Sequence, residues 1–331
     1  MESHPPRLEL KPTSLLRRWL ERVVPFIGII ILIIAIFIIH NELEDYQYEA
    51  IIKALHNTPW SLIFIALALT AFNYLALTGY DFLALFYIDK KLHPAKVMLA
   101  SSIAFTLSNN VGHTLISGPA VRYRFYKAWG LSGWEIVRLT IFISYMYLLG
   151  AMSLAVVAYF FFPQAQLADS PLYRIIQIII YSALIFIVLY WVVVLFLRKP
   201  IRLRDMELTL PTPPVACAQS LIAAIDLVLA SLILYVFLNH YAEVPFTTFV
   251  VAYVISQVVG LYSQSPGGLG VFEGIFLYTL KDSLATPTIL AALILYRIIY
   301  FFIPLAIAGS GLLWYELAQR RQLKDKKKAT P

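Results

Sequence analysis

Six stretches of the chain are apolar for about 17 residues or more, enough to carry an α-helix through the hydrocarbon of a bilayer. They are Val24 to His40, Trp60 to Ile88, Leu139 to Phe162, Arg174 to Leu197, Pro214 to Leu238 and Thr288 to Tyr315. Only 14% of the 331 residues are charged, against about a quarter in a soluble domain. An all-α polytopic membrane protein follows. The first span comes after a basic arm and superficially resembles a secretory signal. IFIIHNELED follows it instead of a small-residue cleavage site, so it reads as an uncleaved anchor.

Two further segments, Val97 to Ser117 and Phe246 to Ser265, are long enough to enter a membrane but are sprinkled with Ser, Thr, Asn, Gln and Gly, and each ends at a Pro/Gly break. The distribution of Lys and Arg decides how to read them, because basic residues are retained on the cytoplasmic side. If both segments are re-entrant, 22 of the 26 basic residues fall on one face, with Lys53, Arg174 and Lys281 opposite and Arg297 inside a span. A full crossing by Val97 to Ser117 would split the basic loops between the faces. The re-entrant reading therefore stands, with both termini cytoplasmic.

The order span, re-entrant, span then occurs twice, at 60–162 and again at 214–315, with the second re-entrant entering from the opposite side. A cytoplasmic arm (1–23) and a basic tail (316–331) flank this single membrane domain of 24–315. Paired, interrupted segments in two inverted halves are the pattern of a transporter-like site at mid-membrane. Backbone groups freed at such breaks cost several kcal/mol each against lipid, so Gly118, Pro119, Pro266, Gly267, Gly268 and Gly270 must lie against protein or a wet cavity. Arg122 and Arg124 follow the first break and Glu273 the second. The sharpest expectation is that these are facing halves of one site, positive from the first break and negative from the second.

Blander readings compete. Arg122 and Arg124 also suit simple retention of positive charge, and Gly270 with Gly274 forms a GxxxG packing motif. A dinucleotide loop is rejected, because Glu273 stands where GxGxxG needs its third Gly and no βαβ unit surrounds it. Asp226 at mid-span and Arg297 well inside the last span are harder to set aside, since intramembrane charges are costly and pair or line a pathway. Arg297 is expected on Glu273 or Asp226. Asp81, near a helix end, either reaches the interface or joins the site. Asn73, Tyr80, Asn109, Asn110, Gln257 and Gln264 either line the same cavity or bond between helices. One cysteine, Cys217, excludes an internal disulfide, and six dispersed histidines show no ligand spacing. No metal, cofactor or nucleic-acid partner is expected.

With SGPAVRYRFYKAWGLS and SPGGLGVFEG in place, the chain resembles, from first span to last, the bacterial stand-alone membrane proteins of the YbhN type. These are similar to the flippase half of lysylphosphatidylglycerol synthase, the multiple peptide resistance factor. The resemblance implies a multi-pass inner-membrane domain in which two re-entrant elements enclose a phospholipid headgroup. Arg122, Arg124 and Glu273 carry over by motif, and Asp81, Asp226 and Arg297 by span. The synthases add a soluble aminoacyltransferase domain, whereas this sequence continues into QRRQLKDKKKATP, so aminoacyl transfer is not expected. The function read here is phospholipid transport, and no catalytic residue stands out. The alternative is a membrane-embedded subunit or enzyme modifying lipid or lipid-linked substrates, with Asp81, Asp226 and Glu273 meeting in three dimensions. A lipid-synthesising partner and a homo-oligomer stay open.

Overall fold

A computed structural model of the chain describes residues 48–111, 114–161, 173–197, 201–203, 206–208, 210–241, 243–244, 246–263, 268, 270–280 and 283–313. The predicted span Val24 to His40, the basic arm and the tail lie outside the described residues. Helix α1 (Tyr48–His56) is short, and α2 (Trp60–Tyr87) is the first long helix. Then come α3 (Pro94–Val111), α4 (Thr114–Ala128), α5 (Gly133–Phe161) and α6 (Tyr173–Phe196). After a small ribbon of β1 (Ile201–Leu203) and β2 (Met206–Leu208), the chain forms α7 (Pro213–Tyr241), α8 (Phe246–Ser263), α9 (Val271–Leu280) and α10 (Thr286–Arg297). Helix α10 passes through a π-turn at Ile298–Phe302 and continues to Leu313.

Among the described residues five helices are long and apolar enough to cross a membrane: α2, α5, α6, α7 and α10 with its continuation. Each coincides with a predicted span, although α5 begins at Gly133, six residues before the predicted Leu139. The reason is a capping box invisible to hydropathy. Ser132 N–H donates to Glu135 Oε2 at 2.7 Å, and Glu135 N–H donates to Ser132 Oγ at 3.2 Å. Two of the amides left unpaired at the helix start are thereby satisfied. Glu135 also binds Lys90 at 2.9 Å, fixing the loop after α2 to the start of α5.

Each polar-sprinkled segment is one limb of a hairpin. Gly118 of α4 faces Ser108 and Ala104 of α3, and the Arg122 guanidinium lies 4.6 Å from the Phe105 ring. Moving forward on α4 thus moves backward on α3, so the limbs run antiparallel. In the second hairpin Phe249 meets Phe276 and Tyr253 meets Phe272, the same reversed register between α8 and α9. The first hairpin closes at Gly130, whose φ of +99° suits a residue without a Cβ. There Leu131 N–H reaches Tyr126 O at 3.0 Å and directs the chain into α5.

The order long helix, hairpin, long helix therefore appears twice, as α2–α5 and α7–α10, joined by the single long helix α6. Helix α6 is long and apolar enough to cross a membrane, which is the odd connection that an inverted repeat requires. Each hairpin builds its own core cluster against long helices of both units: Tyr80, Phe125, Tyr126 and Met146 pack in one with Val215 and Leu312, and Phe237, Phe249, Tyr253 and Phe276 in the other with Ala66 and Ala155. The units meet chiefly where α2 lies along α7. At Gly150 of α5 a Cβ would stand 2.5 Å from the Ala223 Cβ of α7, and small residues of this kind let membrane helices approach closely. Large side chains such as Phe64, Phe86, Ile178 and Phe196 stay exposed on the outer faces, as lipid contact requires.

Hairpin geometry makes a topological prediction. Lys91 before α3 and Lys127 at the end of α4 are both exposed, and an antiparallel hairpin places them at the same end. Single cysteines at these positions, in a Cys217→Ser background because Cys217 is exposed, should both be labelled from the cytoplasm. Labelling of one from each side would remove the re-entrant arrangement.

Candidate functional site

Arg122 sits on the inner face of α4, and its guanidinium donates from Nε to Asp81 Oδ1 at 2.9 Å and from Nη2 to Asp81 Oδ2 at 2.8 Å. Tyr126, one turn further along the same face, donates to Oδ1 at 2.7 Å. Asp81 of α2 is 0% exposed and Arg122 3%, so the pair is a two-pronged ion pair out of contact with solvent. Such a pair persists only when both groups are matched and their remaining hydrogen-bonding positions filled. Asp81 is thus part of the site and not an interfacial helix end.

Two expectations about this region are corrected. The break is not at Gly118 and Pro119. Both lie inside α4, which begins at Thr114, three residues after α3 ends at Val111. Gly118 serves the approach of the limbs, since a Cβ there would collide with Ser108 Oγ and stand 3.1 Å from an Arg122 nitrogen. Arg124 does not share the Arg122 face, because residues two apart on a helix point in different directions; it is half-buried.

In the second hairpin Gly268 and Gly270 adopt φ of +67° and +79°, the left-handed conformation that favours glycine. Pro266 and Gly267 lie outside the described residues. Gly270 is the cap of α9, whose third residue is Glu273. The Glu273 carboxylate reaches back to accept the Gly270 N–H at 2.9 Å, and Gly274 N–H closes the first helical turn on Gly270 O at 3.0 Å. This is the reciprocal half of a capping box, placed where a negative charge also suits the helix dipole. The other oxygen, Oε1, accepts from Nε of Arg297, the last residue of α10 before the π-turn, and forms an ion pair with its Nη2. Of the two partners expected for Arg297, Glu273 is the one it meets.

Asp226 stands between these pairs on α7. Its Oδ1 accepts from Asn73 Nδ2 at 2.8 Å and its Oδ2 from the Tyr80 hydroxyl at 2.9 Å. Asn73 also donates to the Asp226 carbonyl at 2.8 Å and accepts from the Tyr300 hydroxyl at 3.1 Å. Tyr80 precedes Asp81 in sequence, and Tyr300 follows Arg297 by three residues within the π-turn. A polar thread therefore runs from one ion pair, through Asp226, towards the other. Asn110 bonds the Thr106 carbonyl and approaches the Phe301 carbonyl of the π-turn at 3.5 Å, while Gln257 bonds Tyr253. Of the polar residues singled out, Asn73 and Tyr80 line the thread and Gln264 lies outside the described residues.

One arrangement expected from sequence is overturned. Arg122 and Glu273 do not form the two poles of one site, because each is neutralised within its own unit, by Asp81 and Arg297. Asp81, Asp226 and Glu273 each have their own set of donors. Sequence reasoning missed Tyr126 and Tyr300. A tyrosine one turn from a buried Arg was the available signal for both. Among the described residues no group of three or more His, Cys, Asp or Glu could hold a metal.

The family model described as "Lysylphosphatidylglycerol synthase TM region" matches residues 26–308. An uncharacterized protein of Synechocystis sp. is 31% identical over 310 residues, covering 93% of this chain and 96% of that protein. The inner membrane protein YbhN of Escherichia coli is 28% identical over 312 residues, covering 92% and 93%. A phosphatidylglycerol lysyltransferase of Staphylococcus aureus is 27% identical over 215 residues, which is 64% of this chain and 24% of that enzyme.

Proposed function

The chain belongs to the family of the lysylphosphatidylglycerol synthase TM region, and on that premise we propose that it is a phospholipid transporter of the bacterial inner membrane. In this reading a headgroup passes between the two hairpins while the acyl chains stay in lipid. The observation that carries it is one buried Arg–carboxylate pair at the hairpin of each inverted unit, Asp81–Arg122 and Glu273–Arg297.

A phosphate offers the guanidinium fork the same two oxygens as a carboxylate. Arg122 can thus exchange Asp81 for a headgroup phosphate without ever being left uncompensated. Asp81, still held by Tyr126, is then available to a headgroup amine where the lipid carries one. The second unit repeats the exchange, with Glu273 retained by the Gly270 amide while Arg297 turns to the phosphate. A lipid thus meets chemically equivalent stations in the two halves, and the acidic partner left behind at each is already hydrogen-bonded. The reading places both termini in the cytoplasm and requires neither cofactor nor partner enzyme.

The test is the crossing of a headgroup-labelled phospholipid in vesicles holding only the purified protein. Wild type should exceed empty vesicles. Arg122→Lys keeps the charge but loses the fork, and should slow crossing by about tenfold, the equivalent of ~1.4 kcal/mol. Crossing no faster than in empty vesicles would overturn the reading, and chemical conversion of the lipid would favour a membrane enzyme.

A further inference from the structure

Each of the two arginines of the thread holds a carboxylate, yet neither holds Asp226. Its two oxygens are met by an amide and a phenol, both neutral. It lies thirteen residues into the 29-residue α7, about 20 Å along the axis at ~1.5 Å per residue, and therefore near the middle of the span. It is 3% exposed.

The groups facing Asp226 come from every principal neighbour of α7. From α2 they are Asn73, Tyr74 and Tyr80, from α5 Tyr147, and from α10 and its π-turn Tyr296 and Tyr300. On α6, Tyr190 is bound to Gln219 two turns away from Asp226, and on α8 Tyr253 is bound by Gln257. Among the described residues no Lys, Arg or His forms an ion pair with Asp226. The nearby charges of the thread, Asp81 with Arg122 and Glu273 with Arg297, are already matched. A carboxylate at mid-membrane without a cation is costly, and binding a proton removes that cost.

We propose that Asp226 is a proton switch between the two inverted units, and that its protonation and release couple a proton to headgroup movement. The proton forms an O–H bond on the carboxylate and leaves by breaking the same bond, so nothing else is consumed. While ionised, Asp226 holds Tyr80 and Asn73 of the first unit by charge-assisted hydrogen bonds, about twice as strong as neutral ones. Protonation weakens that clasp between α2 and α7. The neutral carboxyl is still satisfied, because the Tyr80 hydroxyl can turn from donor to acceptor.

Each end of the clasp adjoins an ion pair. Tyr80 is the sequence neighbour of Asp81. Asn73 holds Tyr300 in the π-turn that starts directly after Arg297, and π-turns inside helices recur at functional sites. A proton at Asp226 therefore loosens both stations together. The protonation stands on geometry alone, whereas the coupling rests on the transporter reading above.

Two measurements on the purified protein separate these parts. Infrared difference spectra between acidic and alkaline buffer should show the C=O band of a carboxyl that takes up a proton, a band that is lost in Asp226→Asn. Labelled-lipid crossing in vesicles should accelerate under an imposed pH gradient in wild type and ignore the gradient in Asp226→Asn. No titrating band, or a band that survives in Asp226→Asn, overturns the switch. A band with crossing indifferent to the gradient overturns the coupling. A band with no lipid crossing at all leaves the switch standing and removes the transporter reading. Should Asp226→Asn fail to fold, Tyr80→Phe takes its place. Loss of that donor must displace the midpoint of the band, and an unmoved midpoint overturns the proposal.

Discussion

Asp81→Ala is expected to destabilise the protein by about 3 to 5 kcal/mol, because it leaves Arg122 buried without the carboxylate that takes both its prongs. The same change strands the Tyr126 hydroxyl, which donates to the same oxygen. Adding Arg122→Met should recover much of the loss, since an apolar side chain of similar length can pack against Phe105 without charge. Arg122→Met alone should also be harmful, as it leaves Asp81 in a dry site without its cation, where it must bear the charge uncompensated or take up a proton. Detergent-denaturation midpoints of the two single variants and the double variant read this directly. Additive losses would show that the pair contributes no coupling, and the exchange of partners at this station would then have no energetic basis.

Glu273 tests a residue with two roles. Glu273→Gln retains an acceptor for the Gly270 amide but removes the charge opposite Arg297, so it should cost about 3 kcal/mol or more. Glu273→Ala removes both the cap and the charge, and the further loss should be about 0.5 to 2 kcal/mol, the value of a helix cap. In an Arg297→Met background the charge contribution vanishes and only the cap difference between Gln and Ala should remain. If Gln and Ala are indistinguishable in both backgrounds, the contact with Gly270 contributes nothing to the start of α9.

The Pro/Gly punctuation of the sequence divides along physical lines. Gly268 and Gly270 were legible as a break because backbone conformation is local, and a left-handed residue calls for glycine wherever the chain turns. Gly118-Pro119 carries the same chemistry yet lies within a helix. There the neighbouring limb requires the missing Cβ, a demand made by a contact ten residues away along the chain. The capping box Ser132–Glu135 and the reciprocal half-box Gly270–Glu273 were equally local and could have been read from spacing. The first explains why α5 starts before its apolar window, and the second gives Glu273 a structural role that neither GxxxG nor a headgroup contact supplied.

By itself the sequence determined the long apolar helices, the two polar-sprinkled hairpin limbs and their repeated order. Those follow from hydropathy, basic-residue placement and turn chemistry, all of which act over one helix or one loop. Only the tertiary structure decided which charge meets which. Arg122 had three intramembrane carboxylates within the fold and took Asp81, 41 residues away; Arg297 took Glu273, 24 residues away; and Asp226 was left to Asn73 and Tyr80. Complementary charge says that a buried arginine must be matched, but not by which acid, since that depends on the packing of α2 along α7 and on the reversed register of each hairpin.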